Sequence, residues 1–257
     1  MPSFKRNIHH NIQVGLDARV DAMNLYHHSN QKLRSGLLGS AKTNTEYELS
    51  REAQVAKSTY VRMISPGTLA THVLYGGFNI DDIKKDSKCR LIIFRSLQKH
   101  FCAGADLIER KDMSNKETLF FLETINNLFD KIENLEIPTI ASINGAAVGG
   151  GLELALCCDF RVAAQNATVG LTETSLGIIP GAGGIFRLSN IIGLSKAKYW
   201  IYTAQKFSSE NAYSDGLIDF ISKDEELLGV TLEIAQEILE NAPLAIKSSK
   251  KLLNISI

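Results

Sequence analysis

Two carboxylates, Glu153 and Glu173, each stand directly beside a glycine-rich turn, and that arrangement could do chemistry. From Ile143 to Asp159 the chain reads Ile-Asn-Gly-Ala-Ala-Val-Gly-Gly-Gly-Leu-Glu-Leu-Ala-Leu-Cys-Cys-Asp. Gly149, Gly150 and Gly151 separate a strand-like apolar run, Thr139 to Ile143, from a helix-like run beginning near Leu152. Lacking side chains, they let a ligand atom reach the backbone. The first N–H groups of a helix have no acceptor inside it, so such a turn suits a negative oxygen. Glu153 falls in the first helical turn. Glu173 precedes a second backbone-exposing loop, Ile178-Ile179-Pro180-Gly181-Ala182-Gly183-Gly184, and an earlier turn, Cys102-Ala103-Gly104-Ala105-Asp106, offers a further N–H. Two N–H groups converging on one oxygen would form an oxyanion hole, and paired carboxylates can move a proton to and from a substrate or water. The competing reading is a packing turn with an exposed glutamate stabilised by the helix dipole.

The elements that must position these groups follow from local pattern. Asn79 to Lys88 reads as a polar helix and Arg90 to Arg95 as a short buried strand. Ser114 and Glu117 have capping-box spacing, and Leu122, Ile125, Leu128, Phe129, Ile132 and Leu135 recur at helical period up to Pro138. A short strand pair is expected at Phe160 to Ala164 and Ala167 to Gly170. Helices are then expected at Ser195 to Thr203, Ser209 to Asp215, Thr231 to Glu240 and Pro243 to Leu253, with a strand at Leu217 to Ile221. Strands alternating with helices predict an α/β class with helices covering a sheet. Ten of the 19 glycines lie between Gly145 and Gly193, which places the site in this region.

Composition bounds the partners. Lys plus Arg and Asp plus Glu both number 28, and the zero formal charge gives no overall attraction to nucleic acid or an anionic membrane. Lys247, Lys250 and Lys251 are expected to form a solvated helix face, since no aromatic residues interleave with them. The four cysteines, Cys89, Cys102, Cys157 and Cys158, contain no C-x-x-C pair, and a reducing compartment is expected. No apolar run has the length of a membrane span. Residues 1–75 differ from the rest: five of the six histidines fall there, with nine basic residues against five acidic ones. That segment is expected to be partly disordered, with the second domain covering 76–257. The histidine pairs His9-His10 and His27-His28 read as loop residues rather than metal ligands. Lys5 and Arg6 in an acid-free start are compatible with a mitochondrial presequence.

The composite of turns and carboxylates resembles the enoyl-CoA hydratase/isomerase (crotonase) superfamily. The resemblance is carried by Phe101-Cys-Ala-Gly-Ala-Asp-Leu107, Asn144-Gly-Ala-Ala-Val-Gly-Gly-Gly-Leu-Glu-Leu-Ala155, Gly170-Leu-Thr-Glu-Thr174 and Ile179-Pro-Gly-Ala-Gly-Gly184. Glu109-Arg110-Lys111-Asp112-Met113-Ser114 and Gly151 to Leu156 are most similar to the AU-binding methylglutaconyl-CoA hydratase and mitochondrial enoyl-CoA hydratase group. The resemblance implies a crotonase-like spiral of β-β-α turns, with an atypical N-terminus and a shortened C-terminal helical module. It implies an acyl-CoA substrate, hydration of a 2-enoyl-CoA in fatty-acid or branched-chain amino-acid catabolism, and no cofactor beyond the coenzyme A of the substrate. A homotrimer or hexamer is implied as well. By the same resemblance the N–H groups of Ala105 and Gly150 bind the thioester oxygen. Glu153 activates water, Glu173 exchanges a proton with the α-carbon, and Ala103, Gly104, Asp106, Gly149 and Gly181 line the substrate. The side chains of Asp106 and Asp159 are expected to be structural, and Cys102 to pack rather than react. Two positions depart from the family pattern: Ile108 replaces a common basic residue, and Gly184-Ile185-Phe186-Arg187 replaces Gly-Thr-Gln-Arg. Two alternatives remain: an inert relative that binds acyl-CoA or joins related subunits, and an RNA-binding protein, for which Lys84, Lys85 and Lys88 supply little charge.

Overall fold

The computed structural model describes residues 61–66, 80–104 and 113–255. The N-terminal histidine pairs, Ala105, Asp106 and Ile108 lie outside the described residues. A compact unit runs from Tyr60 to Ile257. Its first strand, β1 (Val61–Ile64), falls inside the segment set apart from sequence, and the sheet therefore begins before residue 76. Only Ile64 of β1 is buried, so the strand carries no apolar alternation to announce it.

Five strands form a parallel sheet in the order β1, β2 (Leu91–Arg95), β3 (Thr139–Ile143), β5 (Phe160–Ala164), β8 (Phe220–Ser222). A second sheet joins β4 (Ala146–Val148) in parallel to β6 (Thr168–Gly170), and β6 antiparallel to β7 (Phe207–Ser208). Cys102 bridges Ala147 in parallel and extends this small sheet on its other side. The expected strand pair at 160–170 is thus split: β5 and β6 follow one another in sequence but belong to different sheets. The same step recurs three times. A strand of the large sheet leads to a segment of the small one and then to a helix: β2, Cys102 and α2 (Asn115–Glu133); β3, β4 and α3 (Gly150–Leu156); β5, β6 and α4 (Gly184–Ile192). This is the β-β-α spiral.

Leu91 to Phe94, Ile140, Ala141, Ile143, Val162 and Ala163 are fully buried. Such continuous apolar strands require cover on both faces. On one face α7 (Leu227–Leu239) packs against β3 and β5, and the buried hydroxyls of Ser142 and Thr231 meet at 3.0 Å. α1 (Ile80–Lys85) precedes β2. α2 begins with the expected capping box: the Ser114 hydroxyl accepts from Glu117 N, and the Glu117 carboxylate accepts from Ser114 N at 2.8 Å. α5 (Leu194–Thr203) and α6 (Ser209–Ser214) follow α4, and α8 (Pro243–Ile255) ends the described chain. Leu217 and Ile218, expected to open the last strand, precede it. They are buried where their N–H groups both bond Ala212 O, and β8 starts only at Phe220.

Lys250 overturns the expectation of a solvated lysine face. It is 7 % exposed and donates to Asp159 Oδ2 at 2.8 Å and Ile137 O at 3.0 Å. Asp159 also accepts from Thr139 N and the Thr139 hydroxyl, so it locks α8 to the entry of β3 in the structural role expected of it. Charge composition could not show that one lysine of three points inward.

Candidate active site

The glycine-rich stretch is built by a reversal between sheets. β3 ends at Ile143, the chain turns through Asn144-Gly145, β4 runs alongside Cys102, and α3 begins at Gly150. Ala-Ala-Val between glycines has no readable alternation, and β4 exists only because Cys102 and β6 flank it. Val148 N donates to Cys102 O at 3.0 Å and Gly149 N to Gly170 O at 2.9 Å. Gly149 has φ +56°, a conformation that side chains disfavour, and it directs the chain into α3. At Gly151 the need is space: a Cβ there would lie 2.0 Å from Cys102 O.

This contact brings the Phe101–Gly104 turn against the start of α3. A Cβ on Gly104 would stand 3.5 Å from Gly150 N and 3.1 Å from Val148 O. The backbone of the turn that leads to Ala105 therefore reaches Gly150. As the first residue of α3, Gly150 carries an N–H with no acceptor within the helix.

Glu153 is 4 % exposed, which removes the reading of a solvated, dipole-stabilised glutamate. Its Oε1 accepts from Ala182 N at 2.8 Å and Gly184 N at 3.0 Å. Burial pushes the Glu153 carboxyl up to about 7; the two N–H bonds oppose that rise, the charge of Glu173 adds to it and Arg187 reduces it. At neutral pH the group is balanced between its two forms, as a general base or acid requires. Glu173, 8 % exposed, opens a 3₁₀ turn over Glu173–Leu176, which is fixed by the Thr174 hydroxyl donating to Ile201 O at 2.6 Å. A Cβ on Gly149 would stand 3.1 Å from Glu173 Oε1, and one on Gly150 4.0 Å from Glu153 Oε2. The two carboxylates thus flank one glycine–glycine step from different elements.

Ala103 is exposed and Gly104 lies within the turn beside Gly150, whereas Gly181 sits against α2, its Cβ position 2.9 Å from Leu122 Cδ2. Cys102 is packed, and burial raises its thiol above the usual range; burial likewise raises the Cys157 thiol and pushes that of Cys158 up to about 12. Thiols held protonated are poor nucleophiles. Among the described residues no cluster of three His, Cys, Asp or Glu side chains could hold a metal ion, and no helix is long and apolar enough to cross a membrane.

Sequence reasoning missed the support beneath the Glu153 loop. Arg187 is buried and Asn126 half-buried, and both donate to that loop from below. The available signals were an arginine four residues after Gly183 and the acidic pair Asp130 and Glu133 at i,i+3 on α2. A cavity of about 520 Å³, lined in part by Leu135, Pro138, Leu239 and Leu244, includes neither glutamate. Its charged rim is engaged by neighbours: Lys247 pairs with Glu136, Asp86 with Arg62, and Arg90 Nη2 donates to Leu239 O and Asn241 O.

Comparison with known proteins bears on family and fold. The family described as enoyl-CoA hydratase/isomerase matches residues 78–257. The probable enoyl-CoA hydratase 2, mitochondrial, of Arabidopsis thaliana is 46 % identical over 178 residues, 69 % of this chain and 59 % of that protein. The human mitochondrial methylglutaconyl-CoA hydratase is 44 % identical over 180 residues, 68 % of this chain and 53 % of that protein. The chain thus spans between half and three-fifths of these two relatives. Among solved structures, the enoyl-CoA hydratase of Bacillus anthracis superposes with a TM-score of 0.69 at 38 % identity, covering 76 % of this chain and 75 % of that one.

Proposed function

The chain belongs to the enoyl-CoA hydratase/isomerase family, and from that premise we propose that it adds water across the double bond of a 2-enoyl-CoA thioester. One observation carries the reading: Glu153 is buried, held through one oxygen by two backbone N–H groups, poised at about 7, and electrostatically coupled to Glu173.

In the proposed reaction the thioester oxygen lies against the N–H groups of Gly150 and Ala105. Ionised Glu153 takes a proton from water as the water oxygen bonds to the β-carbon. The electron pair of the double bond moves toward the thioester oxygen, and the enolate charge develops where the backbone donors are already oriented. Glu173, carrying in this step the one proton that the carboxyl pair shares, then delivers it to the α-carbon. The sum is addition of one water. Proton exchange with solvent restores both glutamates, and neither a metal nor a redox group enters the proposal. An oxyanion donor of this kind contributes about 3 kcal/mol to lowering the barrier. In this reading Gly104 and Gly149 leave room for substrate along this path, and Ala103, Asp106 and Gly181 complete the proposed lining.

The relatives named as mitochondrial support a mitochondrial location, and catabolism of fatty or branched-chain acyl groups is the proposed setting. The exposed Leu244, Leu252, Leu253 and Ile255 of α8 support an assembly, proposed as a trimer, that covers this face. The test is incubation of purified protein with crotonyl-CoA, following loss of the conjugated thioester absorbance. Wild-type turnover that disappears in Glu153→Gln and Glu173→Gln is expected. Turnover surviving both substitutions overturns the mechanism, and retained acyl-CoA binding with no wild-type turnover identifies a binding protein instead.

A further inference from the structure

We infer that Arg187 is a positioning residue for proton transfer at Glu153, gripping from beneath the loop whose backbone N–H groups hold that carboxylate; the inference rests on the catalytic reading of Glu153 given above. Arg187 lies one turn into α4, with its own N–H donating to Gly183 O at 3.1 Å. Its side chain is 9 % exposed. Nη1 donates to Ala182 O at 2.9 Å, while Nε and Nη2 donate to Glu133 Oε2 at 3.0 and 2.9 Å and Nη2 also to Asp130 Oδ1 at 2.7 Å. One planar fork therefore joins α2 to the loop, a geometry lysine cannot reproduce. Gly183 makes the contact possible, because a Cβ there would lie 2.1 Å from Nη1.

Asn126 holds the adjoining peptide. Its Nδ2 donates to Gly181 O at 2.8 Å and to Leu122 O at 2.8 Å. In a trans peptide the C=O and N–H point in opposite directions. A donor that fixes Gly181 O on the α2 side thus aims Ala182 N–H the other way, where it meets Glu153 Oε1. Arg187 fixes the next carbonyl, and the second N–H on Glu153 comes from Gly184, one peptide further. Asn126 thereby aims the Ala182 donor directly, while the Arg187 side chain holds the Ala182–Gly183 peptide between the two donors and the Arg187 backbone N–H, bonded to Gly183 O, aims that of Gly184.

Arg187 also acts on Glu153 by charge, drawing its carboxyl down against burial. The other groups facing Glu153 are Glu173, which draws it up, and the protonated thiol of Cys157; Asp130 and Glu133 partly neutralise Arg187 from α2. Loss of Arg187 removes the charge and loosens the N–H groups, and both changes favour protonated Glu153.

The test reads Glu153 directly. Protein carrying ¹³C-labelled glutamate is titrated by NMR, with Glu153→Gln assigning the signal, in wild type, Arg187→Met, Arg187→Lys and Asn126→Leu. The Glu153 midpoint is expected to rise by about one unit in Arg187→Met, by less in Arg187→Lys, and by a few tenths in Asn126→Leu. With crotonyl-CoA, the acid limb of kcat should move up by the same interval. The loss would be about fivefold at pH 7, largely recovered at pH 9, with KM within about twofold. A Glu153 midpoint unchanged in folded Arg187 variants, or a loss of kcat uniform across pH, overturns the proposal. Should Arg187→Met not fold, Arg187→Lys and Asn126→Leu decide by the same readout. A wild-type protein that does not hydrate crotonyl-CoA removes the catalytic reading, whereas the titration still decides whether Arg187 sets Glu153.

Discussion

Glu153 within α3 and Asp159 just past its C-terminal end are six residues apart, and the fold treats them in opposite ways. Asp159 receives a buried ammonium from Lys250 together with the hydroxyl and N–H of Thr139. Glu153 receives no cation in contact, only two backbone N–H groups, and burial leaves its carboxyl near 7. The first arrangement fixes a charge so that it can fasten α8 to the sheet. The second supports a charge just enough that it can be gained or lost. A carboxylate fully matched by a cation would hold its proton affinity far from neutrality and serve poorly as a base.

The sharpest way to break this contrast is Glu153→Gln, which keeps the acceptor oxygen and removes the ionisation. Crotonyl-CoA turnover should fall by about 10²- to 10⁴-fold, and a loss under tenfold would mean that Glu153 is as structural as Asp159. Gly184→Ala tests placement rather than ionisation. Its Cβ would come within 2.9 Å of Glu153 Oε1, and kcat should fall by about 10²-fold while the melting temperature changes little. Lys250→Met probes the other end. With Asp159 a quarter exposed, solvent offsets part of the cost, so denaturant titration should show a loss of about 2 kcal/mol, with kcat of the folded protein within twofold of wild type.

A further effect is on stability at Glu153 itself. Its folded value of about 7 lies above the ordinary 4.5, so between those pH values the folded state binds the extra proton. Wild-type stability then declines as pH rises through this window, and the whole cost is present above it. Relative to wild type, Glu153→Gln should gain about 3 kcal/mol by pH 8 and nothing near pH 4, measured by denaturant titration at both pH values. A difference independent of pH would show that Glu153 is not poised in the folded protein.

Much of the scaffold was legible because the cues were local. The apolar runs at Leu91–Arg95 and Thr139–Ile143 are buried on both faces, and the Ser114–Glu117 box marks the start of α2 as written in the sequence. Elements defined by their neighbours were not legible. β4 has three short residues and takes its identity from Cys102 and β6, β1 buries one side chain of four, and the N–H groups of Leu217 and Ile218 are held by Ala212 of α6 rather than by a strand. Lys250 looked like its neighbours Lys247 and Lys251 because charge alone carries no direction.

The sequence alone determined which groups were available: two glutamates beside glycine turns, and glycines where backbones had to meet. It could do so because residue type limits both backbone conformation and proton chemistry. Only the tertiary structure decided that Glu153 is buried, that its N–H donors come from a loop about thirty residues away, and that Arg187 and Asn126 brace that loop. Burial and electrostatic coupling depend on what packs from other parts of the chain, and no local pattern encodes them.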